Sequence, residues 1–228
     1  KVDYRLPHDR GFMLWRSNEG TRWLEESIER WTFAMLADDE VLGLITPEGE
    51  RASFTVISRQ EGVLAGAWAV DYMIETCATD VETLWYFGDG DAIGSDETVA
   101  IISGGRKSIL MLERSILNII GQLSGIATSS EKWSTTSPVP VACTRKTVWG
   151  LLDKWAVHLG GGLTHRLSKR DACMLKENDL MSEIQSNQMK LDSLDYKSKW
   201  IDWLDVHFSR MDEIRKTTDF EKKRGILH

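Results

Sequence analysis

Between Pro138 and Asp179 the chain runs as a short apolar segment, an amphipathic segment and a second short apolar segment, with polar residues after each apolar one. The first, Pro138 to Thr144, puts Val139, Val141 and Cys143 on one side and leads into Arg145-Lys146-Thr147. Val148 to His158 reads as a helix, broken by Gly160-Gly161-Gly162 and followed by Thr164-His165-Arg166. Ala172 to Leu175 reads as a second strand, ending at Lys176-Glu177-Asn178-Asp179. Two strands joined through a helix in one sheet lie parallel with a right-handed crossover. The stretch therefore predicts the beginning of a parallel α/β sheet or barrel. Ligands of such folds sit at the carboxyl ends of strands, where Arg145, Lys146 and Lys176 all fall.

Charge marks the same stretch. From Cys143 to Lys176 there are seven Lys or Arg and two acids, a local +5 in a chain of formal charge −7. Such a contrast suits an anionic ligand. The acidic whole argues against general nucleic-acid binding, which needs a basic face. No run of 18 apolar residues marks a membrane span. Cys77, Cys143 and Cys173 are widely spaced and odd in number; they form neither a metal pair nor a disulfide framework, which fits a reducing cytoplasm. His158 reads as a residue of a helix C-terminus rather than a ligand.

The first hundred residues predict an α+β layer. Thr21 to Leu36 reads as an amphipathic helix with Trp23, Leu24, Ser27, Ile28, Trp31 and Met35 near one stripe. A turn at Pro47-Glu48-Gly49-Glu50 leads into a strand from Arg51 to Arg59, with Ala52, Phe54, Val56 and Ser58 on one side. Further strands are expected at Glu61–Gly66, Thr83–Phe87 and Glu97–Ser103, and a helix at Ala67–Ala78. Gly88-Asp89-Gly90-Asp91 reads as a hairpin turn rather than a metal loop, because the rest of a twelve-residue calcium loop is missing. Tryptophan is frequent, and the six before the basic stretch read as core and helix-face residues. Lys107 to Thr135 carries the longest helical pattern, apolar along Ile109, Leu112, Ile116, Ile119, Ile120 and Leu123. It contains Glu113-Arg114 and the small-residue patch Ser124-Gly125-Ile126-Ala127-Thr128, which permits close backbone approach.

Five segments in order carry a resemblance: Glu113-Arg114-Ser115-Ile116-Leu117-Asn118, Leu123 to Thr128, Thr144-Arg145-Lys146-Thr147, Gly160-Gly161-Gly162-Leu163-Thr164-His165-Arg166, and Leu175-Lys176-Glu177-Asn178. Together they resemble quinolinate phosphoribosyltransferase, the family also called nicotinate-nucleotide pyrophosphorylase (carboxylating). Gly62-Val63-Leu64-Ala65-Gly66 is similar to that family's N-terminal domain. The resemblance implies an α/β fold: an N-terminal α+β sandwich domain (residues 1–104), then a long linking helix and the first part of an open α/β, TIM-like barrel (residues 105–228). It implies transfer of phosphoribose from phosphoribosyl pyrophosphate to quinolinate, with Mg²⁺, releasing pyrophosphate and carbon dioxide and giving nicotinate mononucleotide for NAD synthesis. It implies Thr144, Arg145, His165 and Arg166 as substrate-binding residues and Lys146 and Lys176 as catalytic ones. Arg114 would reach into the pocket of a partner subunit, making a homodimer the working unit. Planar guanidinium groups suit such a ligand, since they grip carboxylates bidentately.

The chain departs from the family pattern at several places. Cys143 stands where the family commonly has Asp or Gly, Asp179 stands where it usually has His, and Ser168-Lys169-Arg170 replaces a less charged stretch. Cys143 reads as a small strand residue, with no base placed to make it a nucleophile. The motifs stop near Asp179. Residues 181–228 read as two polar helices and a charged end, without the later strands that would bring acidic ligands for ribose and Mg²⁺ or a glycine loop for phosphate. No metal-binding residue is therefore assigned, and the chain is expected to be the N-terminal part of a longer enzyme. Two other readings stand beside the first: a phosphoribosyltransferase for another aromatic acid, and a non-catalytic relative that binds an anionic metabolite.

Overall fold

The structure is a computed structural model that describes residues 9–39 and 49–168. A compact unit spans Lys1–Leu167. Its N-terminal arm begins with a 3-10 turn, Gly11–Met13, and a small hairpin of β1 (Trp15–Arg16) and β2 (Glu19–Gly20). Ser17 and Asn18 join the two with φ of 51° and 63°, the left-handed pair that a two-residue hairpin turn requires. Helix α1 follows at Arg22–Asp38, with Thr21 as its N-cap residue. Its buried stripe is Leu24, Ser27, Ile28, Thr32 and Leu36, with Trp31 and Met35 half-buried beside it. Trp23 is 41% exposed, so the stripe is centred one position further along than the sequence pattern suggested.

Strands β3 (Arg51–Ile57), β7 (Thr98–Gly105) and β5 (Val81–Trp85) form an antiparallel sheet in the order β3-β7-β5. In β3, Ala52, Phe54 and Val56 turn inward and Ser53, Thr55 and Ile57 outward, as the alternation requires. β4 (Gly62–Val63) and β6 (Ala92–Ile93) form a second, two-stranded sheet, and α2 occupies Ala67–Cys77. The Gly88–Asp91 turn is thus not a hairpin: β5 before it pairs with β7, and β6 after it pairs with β4. Its Asp89 serves α2 instead. Oδ1 accepts the backbone N–H of Gly66 (2.6 Å) and Ala67 (3.0 Å), and Oδ2 that of Trp68 (2.8 Å). These are the donors a helix start leaves unpaired, and the carboxylate also faces the positive end of the helix dipole. Burial nevertheless lifts the Asp89 pKa to about 6.

The long helix, α3, spans Arg106–Thr136. It has the length and composition to cross a bilayer, but Ile109, Leu112, Ile116, Ile119, Leu123 and Ala127 pack its apolar side into the core. The two small-residue segments of the sequence meet here. Ser124 Oγ accepts Ala65 N–H at 3.0 Å, and Thr128 Oγ1 accepts Val63 N–H at 2.9 Å. A Cβ on Gly62 would lie 2.4 Å from Thr128 Oγ1, so that strand needs a glycine to sit so close.

Helix α4 is Leu151–Leu159. The expected start at Val148 is three residues early. Gly150 takes φ 58°, and the Asp153 carboxylate draws in the N–H groups of Val148 (2.7 Å) and Trp149 (3.0 Å), turning them into a loop. The expected strand from Pro138 to Thr144 is reduced to one parallel bridge, Ala142 to Leu163. Pro138 and Pro140 have no N–H for a ladder, and Val139 is instead bonded through its N–H and C=O to Ser137 Oγ. The strand at 172–175, the first two residues of the turn at 47–50 and the helices expected from Leu180 onward lie outside the described residues. Trp155, fully buried, packs at 5.1 Å from Trp15 and 5.9 Å from Trp68 (ring centroids), joining α4 to the arm and to α2.

Candidate functional site

Two segments build the site. Cys143 N–H donates to Leu163 O (2.9 Å) and Leu163 N–H to Val141 O (2.8 Å), so the chain before Thr144 and the chain before Thr164 run side by side in one direction. Their continuations, Thr144-Arg145-Lys146 and Thr164-His165-Arg166, therefore leave the bridge at the same end. That is the carboxyl end where parallel α/β folds hold ligands. The segment after α4 thus returns to the bridge at Leu163, inside the Gly160–Arg166 motif and before the second strand expected at Ala172–Leu175.

Thr144, Arg145 and Lys146 are exposed, His165 is half-buried and Arg166 is buried. Thr144 Oγ1 accepts Lys146 N–H at 3.1 Å, turning the chain just after the bridge. His165 has φ 56°, in the left-handed region that side chains disfavour. Its Nδ1 accepts the N–H of Arg166 at 2.7 Å. That bond leaves the proton of a neutral imidazole on Nε2, a donor suited to a carboxylate. Gly160 lies against α3 so closely that a Cβ would be 2.1 Å from Ala127 O. This contact fixes the motif on the helix.

Arg114 is not brought to this place within one chain. It lies 13 residues before Ala127 on α3, about 20 Å along the axis at 1.5 Å per residue. Its side chain is 73% exposed and its Nη1 lies 2.5 Å from Asp39 Oδ1. Lys176 lies outside the described residues. Cys143 is a thiol: burial raises its pKa, opposed by the Lys154 ammonium nearby. His158 sits in the last turn of α4, where burial lowers its pKa against the opposing pull of Asp9.

Sequence reading missed three participants. Asp153 and Lys154, both buried, shape the loop after Lys146 and hold Thr164; Asp9, also buried, reaches the same threonine from the N-terminal arm. An adjacent acid and base inside the apolar run Leu151-Leu152-Asp153-Lys154-Trp155-Ala156 was the available signal. A groove of about 420 Å³ lies between α3 and the bridge segments, against Gly125, Ser130, Trp133, Ala142, Cys143 and Gly162. Among the described residues that line it none is charged, unlike the cationic segments that leave the bridge. Among the described residues no group of three His, Cys, Asp or Glu could hold a metal. The Gly88–Asp91 turn does not fit one either, since both Asp89 oxygens and Asp91 Oδ2 accept backbone N–H groups.

Comparison with known proteins gives a consistent result. The family description "Quinolinate phosphoribosyl transferase, N-terminal domain" matches residues 32–124, and "Quinolinate phosphoribosyl transferase, C-terminal domain" matches residues 126–220. The second match passes Asp179, so the likeness does not stop where the recognisable motifs do. A probable nicotinate-nucleotide pyrophosphorylase (carboxylating) of Methanothermobacter thermautotrophicus is 33% identical over 150 residues, covering 63% of this chain and 53% of that protein. A probable enzyme of the same name from Bacillus subtilis is 33% identical over 130 residues, covering 55% of this chain and 45% of that one. The chain spans about half the length of such relatives or less. Among solved structures, the nicotinate-nucleotide pyrophosphorylase of Francisella tularensis superposes with TM-score 0.63 at 29% identity, covering 79% of this chain and 67% of that one.

Proposed function

The chain belongs to the quinolinate phosphoribosyltransferase family, and from that premise we propose that it carries the acid-binding part of an enzyme making nicotinate mononucleotide. The reaction joins quinolinate to phosphoribosyl pyrophosphate and releases pyrophosphate and carbon dioxide. The observation that carries the proposal is the parallel bridge, from which Arg145, Lys146, His165 and Arg166 emerge at one end.

In this reading Arg145, His165 and Arg166 hold the two carboxylates of quinolinate, with the Thr144 hydroxyl bending the chain so that Arg145 and Lys146 face them. The ring nitrogen attacks the ribose carbon as pyrophosphate departs, so orientation and cationic stabilisation supply most of the rate. Lys146, with Lys176, then stabilises the electron pair left on the ring as carbon dioxide leaves. The ring carbon takes up a proton to complete the product. Arg114 enters the pocket of a second copy, which makes the homodimer the complete unit; its exposure and its distance from the bridge support this. The proposed reaction takes Mg²⁺ with the pyrophosphate co-substrate. Among the described residues no three His, Cys, Asp or Glu come together, and a Mg²⁺ held on the co-substrate's phosphates needs only one or two carboxylates, so no residue is assigned to it. The reading puts the protein in the cytoplasm, consistent with the free thiols of Cys77 and Cys143.

Calorimetric titration with quinolinate tests the proposal. Arg145→Ala and Arg166→Ala should each weaken binding by about 1.5–3 kcal/mol, the worth of a charged hydrogen bond. Unaltered binding in both variants would remove the site assignment.

A further inference from the structure

We propose that Lys154 is a positioning residue of this site, fastening the His165-Arg166 segment to the Arg145-Lys146 segment at the separation a ligand with two carboxylates needs; the inference rests on the reading of the site as a quinolinate pocket. Lys154 belongs to the first turn of α4 and is 2% exposed. An ammonium is strongly hydrated, and burying it is unfavourable unless it finds close acceptors. Its Nζ donates to the carbonyl of Thr164 at 2.5 Å and lies 3.6 Å from Cys143 Sγ. The Cys143 thiol donates to the same carbonyl at 3.1 Å. Ammonium and thiol therefore converge on one oxygen.

The two residues joined are the ones that matter for spacing. Cys143 immediately precedes Thr144-Arg145-Lys146, and Thr164 immediately precedes His165-Arg166. The backbone bonds of the bridge involve only Val141, Cys143 and Leu163. Lys154 adds a cross-link one residue nearer the ligand end. Thr164 is gripped from its other side as well: Oγ1 accepts Arg10 N–H at 2.7 Å, and its N–H and Oγ1 both lie 3.5 Å from Asp9 Oδ1. A fully buried threonine held by an acid on one face and a lysine on the other leaves the following residue little freedom. That residue is His165, at φ 56°. A non-glycine residue keeps such a conformation only where its surroundings impose it.

This arrangement makes a specific demand on the ligand. A loss of spacing between the two segments harms a dicarboxylate, which spans both, and spares a monocarboxylate, which needs only one. Loss of general stability would harm both alike. The test is calorimetric titration of the 228-residue chain with quinolinate and with nicotinate, which has the same ring and one carboxylate. It is run at a temperature where circular dichroism shows each variant folded. Lys154→Met should weaken quinolinate roughly tenfold or more, the scale of one lost charged hydrogen bond, while nicotinate changes by less than about threefold. Lys154→Arg, which keeps the charge, should recover part of the preference. Should Lys154→Met fail to fold, Cys143→Ala carries the test: the half-buried thiol can be removed with little loss of packing, and the quinolinate-to-nicotinate preference should fall in the same direction by a smaller factor. An unchanged preference in the folded Lys154→Met chain, or in Cys143→Ala where it stands in, overturns the inference. So does an equal weakening of both acids. A wild-type chain that binds neither acid overturns the quinolinate reading itself, and the inference with it.

Discussion

Arg114 and Asp39 form an ion pair between α3 and the end of α1, with Nη1 at 2.5 Å from Oδ1. The arginine is 73% exposed, so water screens the attraction and the pair contributes about 0.2–1 kcal/mol at most. Asp39→Asn should therefore leave the urea midpoint nearly unchanged. It should also release Arg114 for another carboxylate, so quinolinate affinity should hold or rise. A marked loss of affinity in Asp39→Asn would mean that the aspartate orients Arg114 for binding and does not merely occupy it.

If Arg114 acts in a second copy, two defective chains can repair each other. An equal mixture of Arg114→Ala and Arg145→Ala chains, dissociated and reassembled, yields heterodimers in half the pairs, and one site in each is complete. About a quarter of all sites should regain tight quinolinate binding, as expected of a two-fold pair. Titration stoichiometry measures this directly. No recovery on mixing would place Arg114 outside the partner's pocket.

Asp89 gives a pH signature. Its folded pKa, about 6, lies above the ordinary carboxylate value. The folded state therefore holds this proton more tightly than the unfolded state. The associated stability is fully present below about pH 4 and is lost as pH rises through about 6, by roughly 1.4 kcal/mol for each tenfold difference in proton affinity between the two states. Other carboxylates slope differently, so the comparison is with Asp89→Asn. The difference in urea-derived stability between wild type and variant should change between pH 4 and 7. The asparagine cannot accept from Trp68 N–H if its oxygen serves Gly66 and Ala67, so the variant should also lose about 1 kcal/mol. A pH-independent difference would argue against a raised pKa.

The triple glycine offers a contrast within three residues. A Cβ at Gly160 would meet Ala127 O at 2.1 Å, a backbone atom that cannot swing aside. Gly160→Ala should destabilise by about 1–3 kcal/mol as overpacking. Gly161 has φ 79° and its nearest neighbour is 3.8 Å away, so Gly161→Ala should lose only the left-handed preference, about 1–2 kcal/mol. Thermal unfolding measures both losses, and quinolinate affinity distinguishes the two variants: it should fall more in Gly160→Ala, because that contact seats the loop.

The regular periodicities were readable because each residue's partner lies on a face its neighbours also share. The stripe of α3 from Ile109 to Leu123 and the alternation from Ala52 to Val56 are of this kind. The Ser124–Thr128 patch was recognisable as a place of close approach, though nothing in the chain said that the Gly62–Gly66 segment is what approaches it. The strand before Thr144 was over-read, since Pro138 and Pro140 take away donors that an apolar count ignores. Asp89 looked like turn chemistry because its three partners lie more than twenty residues earlier in the chain. The cationic motifs were visible as charge, whereas the buried Asp9, Asp153 and Lys154 that arrange them act through backbone atoms, and a carbonyl acceptor leaves no mark in a sequence.

Trp155 is the residue after Lys154, and its indole is enclosed by those of Trp15 and Trp68. The intense far-ultraviolet transitions of indoles this close couple, so the far-ultraviolet circular dichroism of this protein should carry an exciton couplet from that trio. The couplet depends on the N-terminal arm lying against α4, the same seating that brings Asp9 to Thr164. The molecule thus has a label-free optical gauge of whether its Gly160–Arg166 loop is braced, readable without any ligand.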